Sequence, residues 1–205
     1  MDKDVLKLLN KDKLLKKAIK SVGNLPETFR MTGEVYFDLV RSIAFQQIHG
    51  AAARKIFGRF LDLFDDGYPR PGQVLELDIS DLRSVGFSKQ KGSYIQNIAT
   101  FALEEKLHLI DWKSKTDEEI IKYLTQIKGV GKWTVQMVLM GGLDRLDVFP
   151  VADFGIQQAM IKLYSIDPAL KGKKLALEME AFGEKWKPYR SVASRYLWKW
   201  VDGVS

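Results

Sequence analysis

Apolar residues recur at three- and four-residue intervals through nearly the whole chain, a periodicity that fits helices and little else. Leu6, Leu9, Leu14, Leu15, Ala18 and Ile19 mark a basic amphipathic opening helix or pair, which Asn24-Leu25-Pro26 breaks. From Glu34 onward Phe37, Val40, Ile43, Ala44 and Ile48 keep the helical spacing. Gly50 interrupts, and Ala53, Ile56, Phe57 and Phe60 resume it. Gly67-Tyr68-Pro69-Arg70-Pro71-Gly72 reads as a loop. Leu75, Leu77 and Ile79 alternate briefly, but Ser80 followed by Asp81 makes them the entry to a helix capped by Ser80. A further helix is expected over 91–105. Thr116 and Glu119 form a capping box that opens the next one. Later segments predict helices over 154–164, 174–182 and 189–200. The expected class is all-α.

With 205 residues, 46% of them hydrophobic, the chain can bury one sizeable core or two packed lobes. Its net charge of +6 fits an anionic partner such as nucleic acid without specifying one. The absence of cysteine excludes disulfides, Cys-ligated zinc and Cys-ligated iron–sulfur clusters. His49 and His108 are the only histidines, too sparse to suggest a metal site. The first twenty residues are charged throughout and lack the apolar core of a secretory signal, and no apolar run approaches membrane-spanning length. A cytoplasmic monomer, or a nuclear one in a eukaryote, is the expectation.

The most informative stretch runs from Leu124 to Thr134. A helix ends, Gly129-Val130-Gly131 makes a tight turn, and a second helix begins. Glycine permits positive φ and close approach of another backbone. The second helix presents unpaired N–H groups and the positive end of its dipole. Such a turn clamps a phosphate without reading base sequence, and Lys128 and Lys132 add charge beside it. A plain corner between two helices, with glycines that only permit the turn, is the competing reading. Downstream, Asp147-Val148-Phe149-Pro150 is followed by Asp153, placed where a new helix starts. Taken alone, Asp153 is most economically an N-cap.

The combination is more specific than its parts. Ile-Lys-Gly-Val-Gly-Lys-Trp-Thr over 127–134, a helix, then Asp-Val-Phe-Pro and a nearby aspartate resemble the helix–hairpin–helix DNA glycosylase superfamily. Within it, the likeness is greatest to the 3-methyladenine DNA glycosylase II branch, which includes the yeast alkylbase glycosylases. Residues 41–48 resemble the arginine-to-glutamine helix of that family, and residues 186–191 its closing helix. The resemblance implies a two-lobed helical fold with the active site in a cleft. Residues 1–34 and 153–205 would form one lobe, and 35–152 the other, with the helix–hairpin–helix at about 117–142. It also implies a compact form lacking the extra N-terminal β-domain of the larger bacterial enzyme.

By the same resemblance, Asp153 is the catalytic carboxylate, stabilising positive charge on the sugar as the N-glycosidic bond breaks. Lys128, Gly129, Val130, Gly131, Lys132 and Thr134 grip DNA phosphates. Gln47, with Ile48 beside it, fills the gap left by a flipped base, and His49 probes the minor groove. For Gln47 and His49, a polar helix C-terminus is the alternative. Trp133 stands where bifunctional members carry a nucleophilic lysine, which implies a hydrolase without strand cleavage. In this branch an aromatic at that position stacks on the extruded base; bracing the hairpin from the core is its other reading. Phe29, Phe45, Phe154 and Trp198 are further pocket candidates, and for each of them packing in the core is the commoner role of such a residue. The partner is duplex DNA carrying damaged bases such as 3-methyladenine or 7-methylguanine. No cofactor is implied, and a monovalent cation bridging hairpin carbonyls to DNA is the one ion the family suggests. A non-catalytic DNA-binding or damage-sensing protein, or a glycosylase–lyase using Lys132 or another amine, would share much of this pattern.

Overall fold

The computed structural model describes residues 3–25, 31–48 and 50–203, so Pro26, Phe29 and His49 lie outside the described residues. Those residues form twelve α-helices joined by turns and short 3₁₀ segments, with no strand among them. The chain divides into two units: Met1–Arg30 together with Asp144–Ser205, and Met31–Leu143. Residues 144–152 thus belong with the terminal segments.

The terminal unit contains α1 (Lys3–Leu9), α2 (Lys13–Val22), α10 (Phe154–Tyr164), α11 (Gly172–Gly183) and α12 (Arg190–Gly203). Helix α12 packs against both α2 and α10. Leu9, Leu15, Ile156, Met160, Met179, Trp186 and Leu197 fill the core between them. At its centre the buried carboxylate of Asp12 caps α2 through the N–H groups of Leu14 and Leu15. The same side chain accepts from Tyr164 Oη at 2.6 Å and Trp186 Nε1 at 3.0 Å, and Lys185 Nζ lies 3.1 Å away. Burial alone would raise the Asp12 pKa. The donors of Tyr164, Trp186, Leu15 and Lys185 outweigh burial and hold it below the usual carboxylate range.

The central unit contains α3 (Val35–Phe45), α4 (Gly50–Leu61), α5 (Pro71–Glu76), α6 (Ile79–Ser84), α7 (Lys89–Glu104), α8 (Asp117–Leu124) and α9 (Lys132–Gly141). Helix α3 packs against α4, α7 and α9, and α7 also packs against α5 and α6. Leu39, Ile43, Ile95, Ile98, Val135 and Val138 are fully buried along these contacts. The capping box at Thr116 forms as its spacing predicts: Glu119 Oε2 accepts from Thr116 N at 2.7 Å, and Thr116 Oγ1 from Glu119 N at 3.2 Å.

Two local expectations need correction. The Gly67–Gly72 loop ends early because Pro71 opens α5, its missing N–H falling among the unpaired donors of a first turn. Helix α6 is capped two residues before Ser80. Asp78 is its N-cap, and Asp81 reaches back to accept from Asp78 N at 2.8 Å. Asp81 thereby satisfies the N–H of Asp78, which Ser80 cannot do from inside the helix.

Candidate functional site

In the hairpin, the two glycines do different work. Gly129 has φ +103°, and its α-carbon is pressed against the ring of Tyr94 on α7, which a side chain there would overlap. This glycine is required by the fold. Gly131 caps α9 with φ −94°, a conformation open to any residue, and a β-carbon there would point into open space. Nothing within the unit demands a glycine at 131, whereas an outside backbone approaching the turn would. No side chain caps the start of α9. Lys128 and Lys132 are exposed beside it. Val130 and Thr134 turn inward. Val130 is buried with its N–H bonded to Ile127 O, and Thr134 is 1% exposed with its hydroxyl accepting from Gln46. The outward-facing part of the hairpin is therefore Lys128, Gly131 and Lys132.

The turn after α3 is built against this hairpin. Gln46 Nε2 donates to Thr134 Oγ1 at 2.9 Å and to Gly129 O at 3.4 Å. From α7, Lys91 Nζ donates to Ala44 O at 3.1 Å and Gln46 O at 2.7 Å. Burial holds the Lys91 pKa below the ordinary lysine value. Gln47 follows with φ +55° and an exposed side chain. That left-handed conformation costs a non-glycine residue about 1–2 kcal/mol. Ile48 is 38% exposed. The two residues expected to enter DNA thus share a strained, outward-facing turn. Phe45 is half-buried with the Arg41 guanidinium 5.1 Å from its ring centre, and Trp133 is half-buried at the start of α9.

Asp153 is the N-cap of α10, as its sequence position alone suggests. Its Oδ1 accepts from Ile156 N at 2.9 Å. The same oxygen accepts from Trp198 Nε1 on α12 at 2.7 Å. Gly155 makes this second bond possible. A β-carbon at 155 would lie 3.0 Å from Trp198 Cδ1 and 3.2 Å from Asp153 Oδ1. The carboxylate is therefore oriented from two sides yet stays half-exposed. Phe154, next to it, is 74% exposed, so core packing does not explain it. The sequence offers Trp198 as a pocket or core aromatic, not as a partner of Asp153. Its tie to Asp153 spans 45 residues and no spacing rule signals it.

The flanks of this segment are fixed by their own network. Arg190 meets Asp147 in a two-pronged ion pair, Nε to Oδ1 at 2.7 Å and Nη2 to Oδ2 at 2.9 Å. Arg190 thus holds a carboxylate. Ser191 Oγ accepts from Val148 N at 2.9 Å and donates to Arg145 O at 2.6 Å, pinning the strand of chain that leads to Asp153. Among the described residues, no group of three or more His, Cys, Asp or Glu side chains is placed to hold a metal ion.

Residues 40–188 match the family of HhH-GPD superfamily base excision DNA repair proteins. The chain is 36% identical over 194 residues to DNA-3-methyladenine glycosylase 1 of Schizosaccharomyces pombe, covering 92% of this chain and 82% of that one. It is 37% identical to the "Putative DNA-3-methyladenine glycosylase YfjP" of Bacillus subtilis over 82% of this chain, and spans only 59% of that relative's length. A solved structure of the Schizosaccharomyces pombe 3-methyladenine DNA glycosylase Mag1 in complex with abasic DNA superposes with a TM-score of 0.84 at 32% identity, covering 97% of this chain and 96% of that one.

Proposed function

The chain belongs to the HhH-GPD superfamily of base excision DNA repair proteins, in its 3-methyladenine DNA glycosylase II branch, and from that premise we propose that it is a monofunctional DNA glycosylase acting on alkylated bases in duplex DNA. The observation that carries this reading is the state of Asp153: one carboxylate oxygen held by two donors at a helix start, with the side chain still half-exposed.

In this mechanism Lys128, Lys132 and the backbone at Gly131 grip phosphates, and Gln47 with Ile48 occupies the gap left by the departing nucleotide. His49 takes the minor-groove contact. The extruded base stacks on Trp133, with Phe45 and Phe154 as further aromatic partners. The bond between C1′ and the base nitrogen then breaks, and its electron pair moves to the base. In 3-methyladenine or 7-methylguanine that pair neutralises an existing positive charge, so the leaving group needs no strong acid. Positive charge develops on the sugar, and the carboxylate of Asp153 stabilises it by proximity. Water adds to C1′ and its proton passes to the carboxylate and on to solvent, leaving an abasic site. Trp133, two residues after Gly131, provides no amine for a Schiff base, so the strand stays intact.

The test is release of methylated bases from alkylated duplex DNA by the wild type and by Asp153→Asn, scored with and without alkali. Base release that needs Asp153, with strand breaks only after alkali, is the expected result. No release from the wild type would favour a non-catalytic DNA-binding protein. Breaks without alkali would favour a lyase using Lys132.

A further inference from the structure

Lys91, Tyr94 and Asn97 are spaced by three along α7, which puts them on one face of the helix. Each supports one of the two outward-facing turns of the central unit. Lys91 donates to the carbonyls of Ala44 and Gln46 in the turn after α3. The ring of Tyr94 lies under Gly129, and Asn97 Nδ2 donates to Lys128 O at 3.0 Å. Gln46 closes the circuit by bonding Thr134 Oγ1 and Gly129 O.

Drawing an ammonium group partly out of water to serve two neutral carbonyls carries a cost. Water can satisfy the last carbonyls of a helix as well as a side chain can. The cost is intelligible if the turn must not yield. Gln47 sits in a left-handed conformation directly after the second carbonyl that Lys91 holds. A side chain that displaces a base must push against the duplex, and a turn free to relax would give way first.

Resting on the glycosylase reading above, we propose that Lys91 is a positioning residue for base extrusion: it locks the Gln46–Ile48 turn to α7, so that the wedge and the phosphate-gripping hairpin move as one rigid piece. Lys91 is a lysine of a basic DNA-binding protein, yet on this assignment it touches no phosphate. Its charge is spent inside the protein.

The experiment compares wild type, Lys91→Met and Lys91→Arg on methylated duplex DNA under single-turnover conditions. Each protein is given the same lesion either paired or opposite an abasic site, where extrusion costs little. For Lys91→Met the paired lesion is expected to be excised about tenfold more slowly or worse, and the unpaired one within about threefold of wild type. Lys91→Arg, with two donors for the two carbonyls, is expected to recover most of the paired rate. The salt dependence of DNA affinity should not change. A phosphate contact would instead lower the slope of log K against log salt by about 0.9, and that result overturns the proposal. Equal losses on paired and unpaired lesions overturn it too, since they signal a general structural defect. Should Lys91→Met fail to fold, Lys91→Gln, too short to reach both carbonyls, is read by the same comparison. Failure of the underlying reading looks different: the wild type itself would release no base from either substrate.

Discussion

Removing one N–H from Trp198 gives the sharpest test of how Asp153 is held. Trp198→Phe keeps an aromatic ring on α12 and deletes the donor that meets Asp153 Oδ1 at 2.7 Å. A hydrogen bond to a charged group is worth about 1.5–3 kcal/mol. If the bond holds the carboxylate where charge develops on the sugar, most of that loss appears in the barrier. At 1.36 kcal/mol per decade the expected fall in the base-release rate is about 10- to 150-fold. The neighbouring Ile156 N–H still caps, so the start of α10 should persist and the melting temperature should change little. Gly155→Ala attacks the same bond from the other side. Its methyl group would sit 3.0 Å from the indole Cδ1 and 3.3 Å from Nε1, forcing the ring back by a few tenths of an ångström. The two changes should not add: once the donor is gone, displacing the ring costs little more. Single-turnover base release, DNA affinity by anisotropy and thermal melting of the four proteins of this cycle provide the readouts. A Trp198→Phe rate within about twofold of wild type, below the expected worth of a charge-assisted bond, would refute the reasoning. So would a loss residing wholly in DNA affinity.

The two hairpin glycines should separate cleanly. Gly129→Ala meets both a positive φ and the Tyr94 ring, and should cost about 2–4 kcal/mol of stability, seen as a lowered denaturant midpoint. Gly131→Ala has no such neighbour; it should leave stability nearly unchanged and weaken DNA binding, measured by anisotropy at fixed salt. Asp12 predicts an acid limit. Its folded-state pKa lies below the unfolded value, so its contribution is fully present above about pH 4 and is lost as pH falls through the folded pKa. Asp12→Asn should cost about 1–3 kcal/mol at neutral pH and flatten that acid dependence, as followed by denaturation at several pH values.

Much of the fold could be read from the chain because helices announce themselves locally. The three- and four-residue spacing, the Thr116–Glu119 box and the glycine turn at 129–131 all involve residues within one or two turns of each other. The corrections at Pro71 and Asp78 are of the same local kind, where two caps compete over a few residues. The position of Asp153 was legible for the same reason, as the first residue of a helix.

Local chemistry told that Asp153 begins a helix and that a glycine turn precedes α9, and family resemblance attached a function to both. Only the folded arrangement decided what surrounds them. It put the Trp198 indole on the carboxylate, turned Val130 and Thr134 away from solvent, and aimed Lys91 at two carbonyls more than forty residues distant. Such pairings are chosen by packing among helices remote in sequence. A residue's neighbours along the chain carry the periodicity of its own helix and no record of which other helix will press against it.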